Sequence, residues 1–360
     1  MRIGVAGAGT MGAGIAALAA GAGLETLLYD PDPAALARAP DGPERIADLG
    51  ELAACKVVIE AAPEDLEIKR ALFGRVAEIV GDECVLATNT SSLSVTALAA
   101  GVPGPERVVG MHFFNPPGKM RLLEVVAGDD SWPVALATAR ATGEAMGKHV
   151  IVAADGPGFI VNRCNRPFSL ESLRIVQERL ATPEEVDASC RAAGFRMGPF
   201  ELMDLVGLDV GLAVAKSFYE QSFGEPRWRP SPLVARLVAA GRLGRKSGRG
   251  WYEYPRERPE TPEISGDDPI LERIVAQLVN EACFALGEGV GSAEDIDAGM
   301  VLGLNHPRGP LEWGDAIGAG QVLSVLERLH ADYREERYRP APLLLRAARE
   351  GTPLRANSQR

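Results

Sequence analysis

Residues 2–30, RIGVAGAGTMGAGIAALAAGAGLETLLYD, decide the fold. An apolar run at 2–6 leads into Gly7-Ala8-Gly9-Thr10-Met11-Gly12, and Met11, Ile15, Leu18 and Ala19 then recur at helical spacing through 11–22. A second apolar run, LLYD, ends on Asp30. A GxGxxG triplet is a weak signal by itself. Set between a strand and a helix, with an acid about 20 positions on, it reads as a dinucleotide-binding turn. Gly7, Gly9 and Gly12 then serve the tight turn, the close approach of backbone to pyrophosphate and the packing of helix on strand. The unpaired N–H groups at the helix start, around Thr10 and Met11, face the phosphates. Asp30 is placed to accept hydrogen bonds from the adenine ribose. Its charge repels a 2′-phosphate, and Pro31-Asp32-Pro33 adds no arginine to neutralise one, so NAD is expected over NADP.

Outward from this stretch, apolar runs at 56–61, 84–89, 107–111, 121–127 and 148–153 read as further strands. Helical patterning fills 63–80 and 131–147, the first opening with Pro63, Glu64 and Asp65 as a helix start prefers. The expectation is an α/β Rossmann-type domain with a parallel sheet over residues 1–154, its ligands beyond the carboxyl ends of the strands. Asn89-Thr90-Ser91-Ser92 follows one strand and His112 directly follows 107–111, which places both at that edge. Glu124 sits inside RLLEVVA on the face of Leu122 and Val126, where a buried carboxylate requires a partner. His112 is the obvious one. Taken singly, Glu124 also reads as an edge-strand charge and His112 as a packed or capping side chain. Together with a nicotinamide site they read as a base and its orienting acid, because oxidation of an alcohol needs a group to take the hydroxyl proton near neutral pH.

The 360 residues carry 38 Lys+Arg against 49 Asp+Glu, a net charge of −11, and 46% of them are hydrophobic. That length implies two or three domains, each able to bury a core. An acidic chain without a long basic tract is a poor binder of phosphate backbones, so nucleic acid is excluded as the main partner. Apolar runs stay short of a membrane span and the N-terminus enters a strand directly, so no membrane association and a cytoplasmic location are expected. The five cysteines and four histidines lack ligand spacing, so neither disulfides nor a metal site is expected.

From Asp155 onward strand signals fade and helical periodicity dominates. ATPEEVDASCRAAGFRMGPFELMDLVG at 181–207 matches GSAEDIDAGMVLGLNHPRGPLEWGDAIG at 291–318, and RWRPSPL at 227–233 matches RYRPAPL at 337–343. The all-α C-terminal region is therefore expected to hold two similar helical repeats, 155–256 and 270–360. The Pro- and charge-rich stretch 257–269 is expected to link them.

Seven motifs carry a family resemblance over essentially the whole chain: GAGTMGAGIA at 7–16, VVIEAAPEDLEIK at 57–69, ATNTSSLSV at 87–95, GMHFFNPPGKMRLLEVV at 110–126, DGPGFIVNR at 155–163, MGPFELMDLVGLD at 197–209 and GRKSGRGWY at 244–252. The chain resembles the L-3-hydroxyacyl-CoA dehydrogenases. The resemblance implies NAD-dependent oxidation of an L-3-hydroxyacyl-CoA, with His112 as catalytic base and Glu124 as its partner. It places Ser91 and Asn162 near the substrate hydroxyl and thioester, Glu64, Lys69 and Asn115 against the nicotinamide half of NAD, and Lys246 in reach of the cofactor. The implied partner is an acyl-CoA. Residues 226–250 hold seven Arg/Lys and no acid, a basic stretch that suits either a CoA phosphate or a solvated face. Pairing of the two helical repeats within one chain implies a monomer with an internal pseudo-dimer or a weak homodimer. Only 26 residues separate Asp30 from Val57, less than the helical hairpin the family carries there. That makes a dehydrogenase of free hydroxy acids, of the gulonate or carnitine type, the alternative, with a non-catalytic NAD-binding sensor behind it.

Overall fold

A computed structural model describes residues 1–257, 259–260 and 267–357. The chain divides into two compact units, Met1–Phe159 and Ile160–Arg360. Of the linker expected at 257–269, residues 258 and 261–266 lie outside the described residues.

The first unit is built on strands β1 (Arg2–Ala6), β2 (Glu25–Tyr29), β3 (Glu44–Ile46), β4 (Val57–Glu60), β5 (Val85–Thr88), β6 (Val108–Phe113), β7 (Leu122–Ala127) and β8 (His149–Ala154). Helices α1 (Thr10–Gly21), α2 (Pro33–Arg38), α3 (Leu66–Ala77), α4 (Val95–Ala99) and α5 (Pro133–Ala145) connect them. The sheet order is β3-β2-β1-β4-β5-β6-β7-β8. The order reverses between β1 and β4, the crevice where open α/β sheets bind their ligands. Ile3, Val5, Leu28, Val57, Ile59 and Val109 are buried in one core with Ile15, Ala16 and Ala19 of α1, which is why the apolar spacing of 2–30 reads so directly.

Several features depart from the expected layout. β7 runs antiparallel to β6, whereas β3 through β6 are parallel and β8 is parallel to β7. The connection 114–121 is too short for the crossover that a parallel neighbour requires. Nor does β6 stop before His112. It continues through Phe113, because His112 lies directly opposite Glu124 in the ladder. β7 is moreover an inner strand, with β6 on one side and β8 on the other, so Glu124 is not an edge charge. At α3 the first helical residue is Leu66, capped by the Asp65 carboxylate, which accepts from the N–H groups of Glu67 and Ile68. Glu64 is thereby left outside the helix.

The second unit is helical: α6 (Val161–Cys164), α7 (Arg166–Gln177), α8 (Pro183–Ala192), α9 (Pro199–Val206), α10 (Leu208–Gln221), α11 (Pro232–Ala239), α12 (Pro269–Gly287), α13 (Ala293–Leu304), α14 (Pro310–Ile317), α15 (Ala319–Tyr333) and α16 (Pro342–Glu350). α12 is its axis: every residue from Arg273 to Leu286 is buried, against α7 on one side and α14 to α16 on others. Asp187 in α8 accepts the N–H groups of Phe200 and Glu201 at the start of α9, and Asp297 in α13 does the same for Leu311 and Glu312 of α14. Among the described residues no helix is long and apolar enough to cross a membrane.

Candidate active site

The glycine turn joins β1 to α1, and each glycine has its own physical reason. A Cβ on Gly7 would lie 2.6 Å from the Ala61 carbonyl oxygen, at a φ of +116°, and one on Gly12 would lie 1.8 Å from the Gly7 carbonyl oxygen. Both positions are closed to any side chain. Gly9 is the opposite case: nothing lies within 4 Å of its Cβ direction, and it caps α1 without a side-chain hydrogen bond. An open cradle at the N-terminus of a twelve-residue helix suits a pyrophosphate. Asp30 ties the turn to the end of β2, its carboxylate accepting from Ala8 N at 2.6 Å and Asp32 N at 2.8 Å.

Because β1, β4, β5 and β6 are parallel neighbours, the segments that leave their carboxyl ends share one edge. Beyond β4, Glu64 Oε1 accepts from the Thr90 hydroxyl at 2.6 Å, from the N–H groups of Ser91 and Ser92 at 3.1 and 3.2 Å, and from the Ser92 hydroxyl at 2.9 Å. Burial pushes the Glu64 carboxyl upward, but the Thr90 bond and the Lys69 charge outweigh it and hold the group below its ordinary range. Ser91 is therefore placed by a carboxylate that grips its backbone. Lys69 is wholly buried, its Nζ 2.8 Å from Glu60 Oε1 and 3.5 Å from Glu64 Oε2. Its ammonium has no exposure and meets only Glu60, Glu64 and the Ala62 carbonyl among the described residues.

His112 and Glu124 meet across the β6–β7 ladder, Nδ1 to Oε2 at 2.7 Å. The Glu124 side chain has no exposure and that of His112 has 8%. In the neutral tautomer whose Nδ1–H donates to the carboxylate, the lone pair lies on Nε2. Phe114 and Phe159 flank the ring, with centroids at 4.6 and 5.8 Å. Asn89 Oδ1 accepts from Phe113 N at 3.0 Å and so ties the end of β5 to the end of β6. Asn115 follows on the exposed side of the 114–121 connection. Asn162 and Lys246 belong to the helical unit: Asn162 is half-buried in α6, and the Lys246 ammonium pairs with Asp209 at 2.6 Å.

The comparisons with known proteins agree with this layout. The family described as 3-hydroxyacyl-CoA dehydrogenase, NAD binding domain, matches residues 2–48 and 42–156; its C-terminal domain matches 158–254 and 270–360. The chain belongs to the 3-hydroxyacyl-CoA dehydrogenase family. It is an NAD-dependent oxidoreductase, as its relatives are. It is 36% identical to the 3-hydroxyadipyl-CoA dehydrogenase of Escherichia coli K12 over 96% of this chain and 97% of that one. It is 37% identical to a probable 3-hydroxybutyryl-CoA dehydrogenase of Deinococcus radiodurans over 71% of this chain and 100% of that one. Among solved structures, the 3-hydroxybutyryl-CoA dehydrogenase of Escherichia coli K12 superposes with a TM-score of 0.91 at 35% identity, covering 97% of this chain and 98% of that one.

Two residues of this dehydrogenase escape a reading of the sequence. Glu60 closes β4 with no exposure and accepts from Lys69, the Thr88 hydroxyl and Ala62 N; burial raises its pKa despite those donors. The signal was the same as for Glu124, an acid inside an apolar strand. Lys148 Nζ donates to the carbonyls of Pro117 and Met120 and so holds the connection that carries Asn115. It gives no sequence signal, because its acceptors are backbone atoms.

Proposed function

We propose that the protein catalyses the reversible oxidation of a short-chain L-3-hydroxyacyl-CoA to the 3-ketoacyl-CoA. The observation that carries this is the buried His112–Glu124 pair at the end of β6, beside the segments of the nucleotide edge. Bound NAD supplies the acceptor for the hydride that leaves C3. His112 Nε2 takes the 3-hydroxyl proton as the C3–O bond becomes a carbonyl, and Glu124 stabilises the imidazolium that results. Ser91, held by Glu64, and Asn162 are assigned to the substrate oxygens. Glu64, Lys69 and Asn115 are assigned to the nicotinamide half of NAD, and Lys246 to the cofactor. The test follows NADH oxidation with acetoacetyl-CoA, free acetoacetate and a truncated acetoacetyl thioester. Turnover that is strong only with the CoA ester supports the proposal. Equal or better turnover of the free acid favours the second reading, a dehydrogenase of free hydroxy acids. One observation speaks for that reading: residues 31–56 form only α2, β3 and a turn at Leu49–Ala54, with no helical hairpin to cover CoA.

We further infer that the helical unit is an internal pseudo-dimer. Arg163 pairs with Glu281 at 2.9 Å and Glu288 at 2.7 Å, and Arg273 pairs with Glu171 and, at 3.1 Å, with Glu178. Each residue of the second set stands 110 positions from its counterpart, so the two sets are reciprocal, as a two-fold axis requires. The double match of the C-terminal family domain supports the same reading. Light scattering is expected to give the mass of one 38.2 kDa chain. A tight dimer would contradict it.

A further inference from the structure

Among the described residues, five non-glycine side chains stand at a φ of the left-handed region: Phe159, Arg179, Phe223, Asn305 and Arg334. Arg179, Phe223, Asn305 and Arg334 close α7, α10, α13 and α15 and are exposed, and a helix end commonly takes one residue into that region. Phe159, at +52°, closes no helix and is only 1% exposed. It ends the turn Asp155-Gly156-Pro157-Gly158-Phe159 after β8, at a backbone conformation that glycine takes without strain and a bulky side chain does not. The turn is fixed from its start. Asp155 N donates to the Ala127 carbonyl at 2.9 Å, the Asp155 carboxylate accepts from the Ser94 hydroxyl at 2.7 Å and from Thr96 N at 2.8 Å, and Phe159 N donates to the Gly156 carbonyl at 3.1 Å. Backbone strain held this firmly under a buried aromatic ring points to a task for the ring itself.

That ring lies against His112, with centroids 5.8 Å apart and planes at 60°; Phe114 meets the same imidazole at 4.6 Å and 49°. The hydrogen bond to Glu124 fixes Nδ1 and leaves the imidazole free to pivot about that point, because the torsion that turns it about its Cβ is soft. Packed rings remove this freedom. Phe114 is half-buried and Phe159 buried, so Phe159 is the firmer of the two walls. We propose that Phe159 is a positioning residue of the reaction: its ring sets the direction in which His112 Nε2 points, and it acts on proton transfer through the imidazole. This rests on the reading of His112 as the base. A misdirected base loses rate steeply, since proton transfer needs heavy atoms within about 3 Å in a fixed line.

The experiment is a double-mutant cycle on NADH oxidation with acetoacetyl-CoA, using Phe159→Leu, which keeps an apolar side chain without the ring, His112→Ala, and the two together. Phe159→Leu is expected to lower kcat about 10- to 100-fold, with KM for the ester and for NADH within about threefold of the parent. In the His112→Ala background the same substitution is expected to change kcat by less than about twofold, because a residue that acts through the imidazole is silent once the imidazole is gone. Phe159→Gly removes the ring and the strain together, so a loss shared with Phe159→Leu belongs to the ring and not to the backbone. Thermal unfolding of each variant checks the fold. An unchanged kcat in Phe159→Leu overturns the proposal, as does the same factor of loss with and without His112, or a rise in KM at unchanged kcat. In each of these cases a large loss in His112→Ala leaves the base assignment standing; an unchanged kcat in His112→Ala ends both.

Discussion

The nucleotide-binding unit contains two buried acid–base pairs, and they are built differently. Glu60 and Lys69 have no exposure on either side chain, and their donors and acceptors are spent on Thr88, Ala62, Glu64 and each other. His112 and Glu124 are as tightly bonded, yet the histidine spends only Nδ1 on its partner and keeps some exposure. A pair that satisfies every valence internally is scaffold. A pair that leaves one nitrogen open can exchange a proton. In the helical unit the closed type recurs in the buried pairs Arg163–Glu281 and Arg273–Glu171.

The sharpest way to break this contrast is to neutralise one acid from the proposed catalytic pair and one base from the closed pair. Glu124→Gln keeps the shape of the site but removes the charge that orients His112, so turnover is expected to fall about 10²- to 10⁴-fold, while NADH binding followed by fluorescence is retained. Lys69→Met leaves the Glu60 charge buried without its partner. Urea unfolding is expected to show a loss of about 3–5 kcal/mol. A stable Lys69→Met protein would mean that the closed pair is not scaffold. His306 offers a smaller effect at a site with no chemistry. It is buried against Phe168 and Phe195, donates to Asn165 at 3.1 Å, and burial lowers its pKa to about 4. The unfolded chain takes up this proton near pH 6.5, so the contribution is whole above that pH and is lost as pH falls toward 4, by about 3 kcal/mol. His306→Phe is expected to remove that part of the acid dependence in denaturant titrations from pH 7 to 4. The smallest effect is at Asp30: Asp30→Ala is expected to weaken NAD and narrow its preference over NADP by about 10-fold, read from KM values for the two cofactors.

How far the sequence is legible follows the same physics. The glycine turn, α1, β2 and Asp30 read directly, because the strand, turn, helix and closing acid all fall within thirty residues of sequence. Glu124 and His112 were legible as a pair through the cost of a buried carboxylate. The antiparallel setting of β7 was not, since the apolar pattern of an inner strand carries no direction. Lys148 hid because its partners are carbonyl groups of a distant connection, which leave no periodic trace; Glu60 carried the same signal as Glu124, with its lysine partner on the next helix. The matching stretches at 181–207 and 291–318 were visible as sequence, but the pairing of Arg163 with Glu281 and of Arg273 with Glu171 is a tertiary fact.

The central claim is that His112 is the base of a dehydrogenase, and one substitution tests it most directly. Steady-state oxidation of NADH with acetoacetyl-CoA is measured for the parent protein and for His112→Ala, with NADH affinity determined by fluorescence titration of the same samples. The account predicts a fall in turnover of about 10²- to 10⁴-fold at unchanged NADH affinity. An unchanged turnover number in the variant would contradict it.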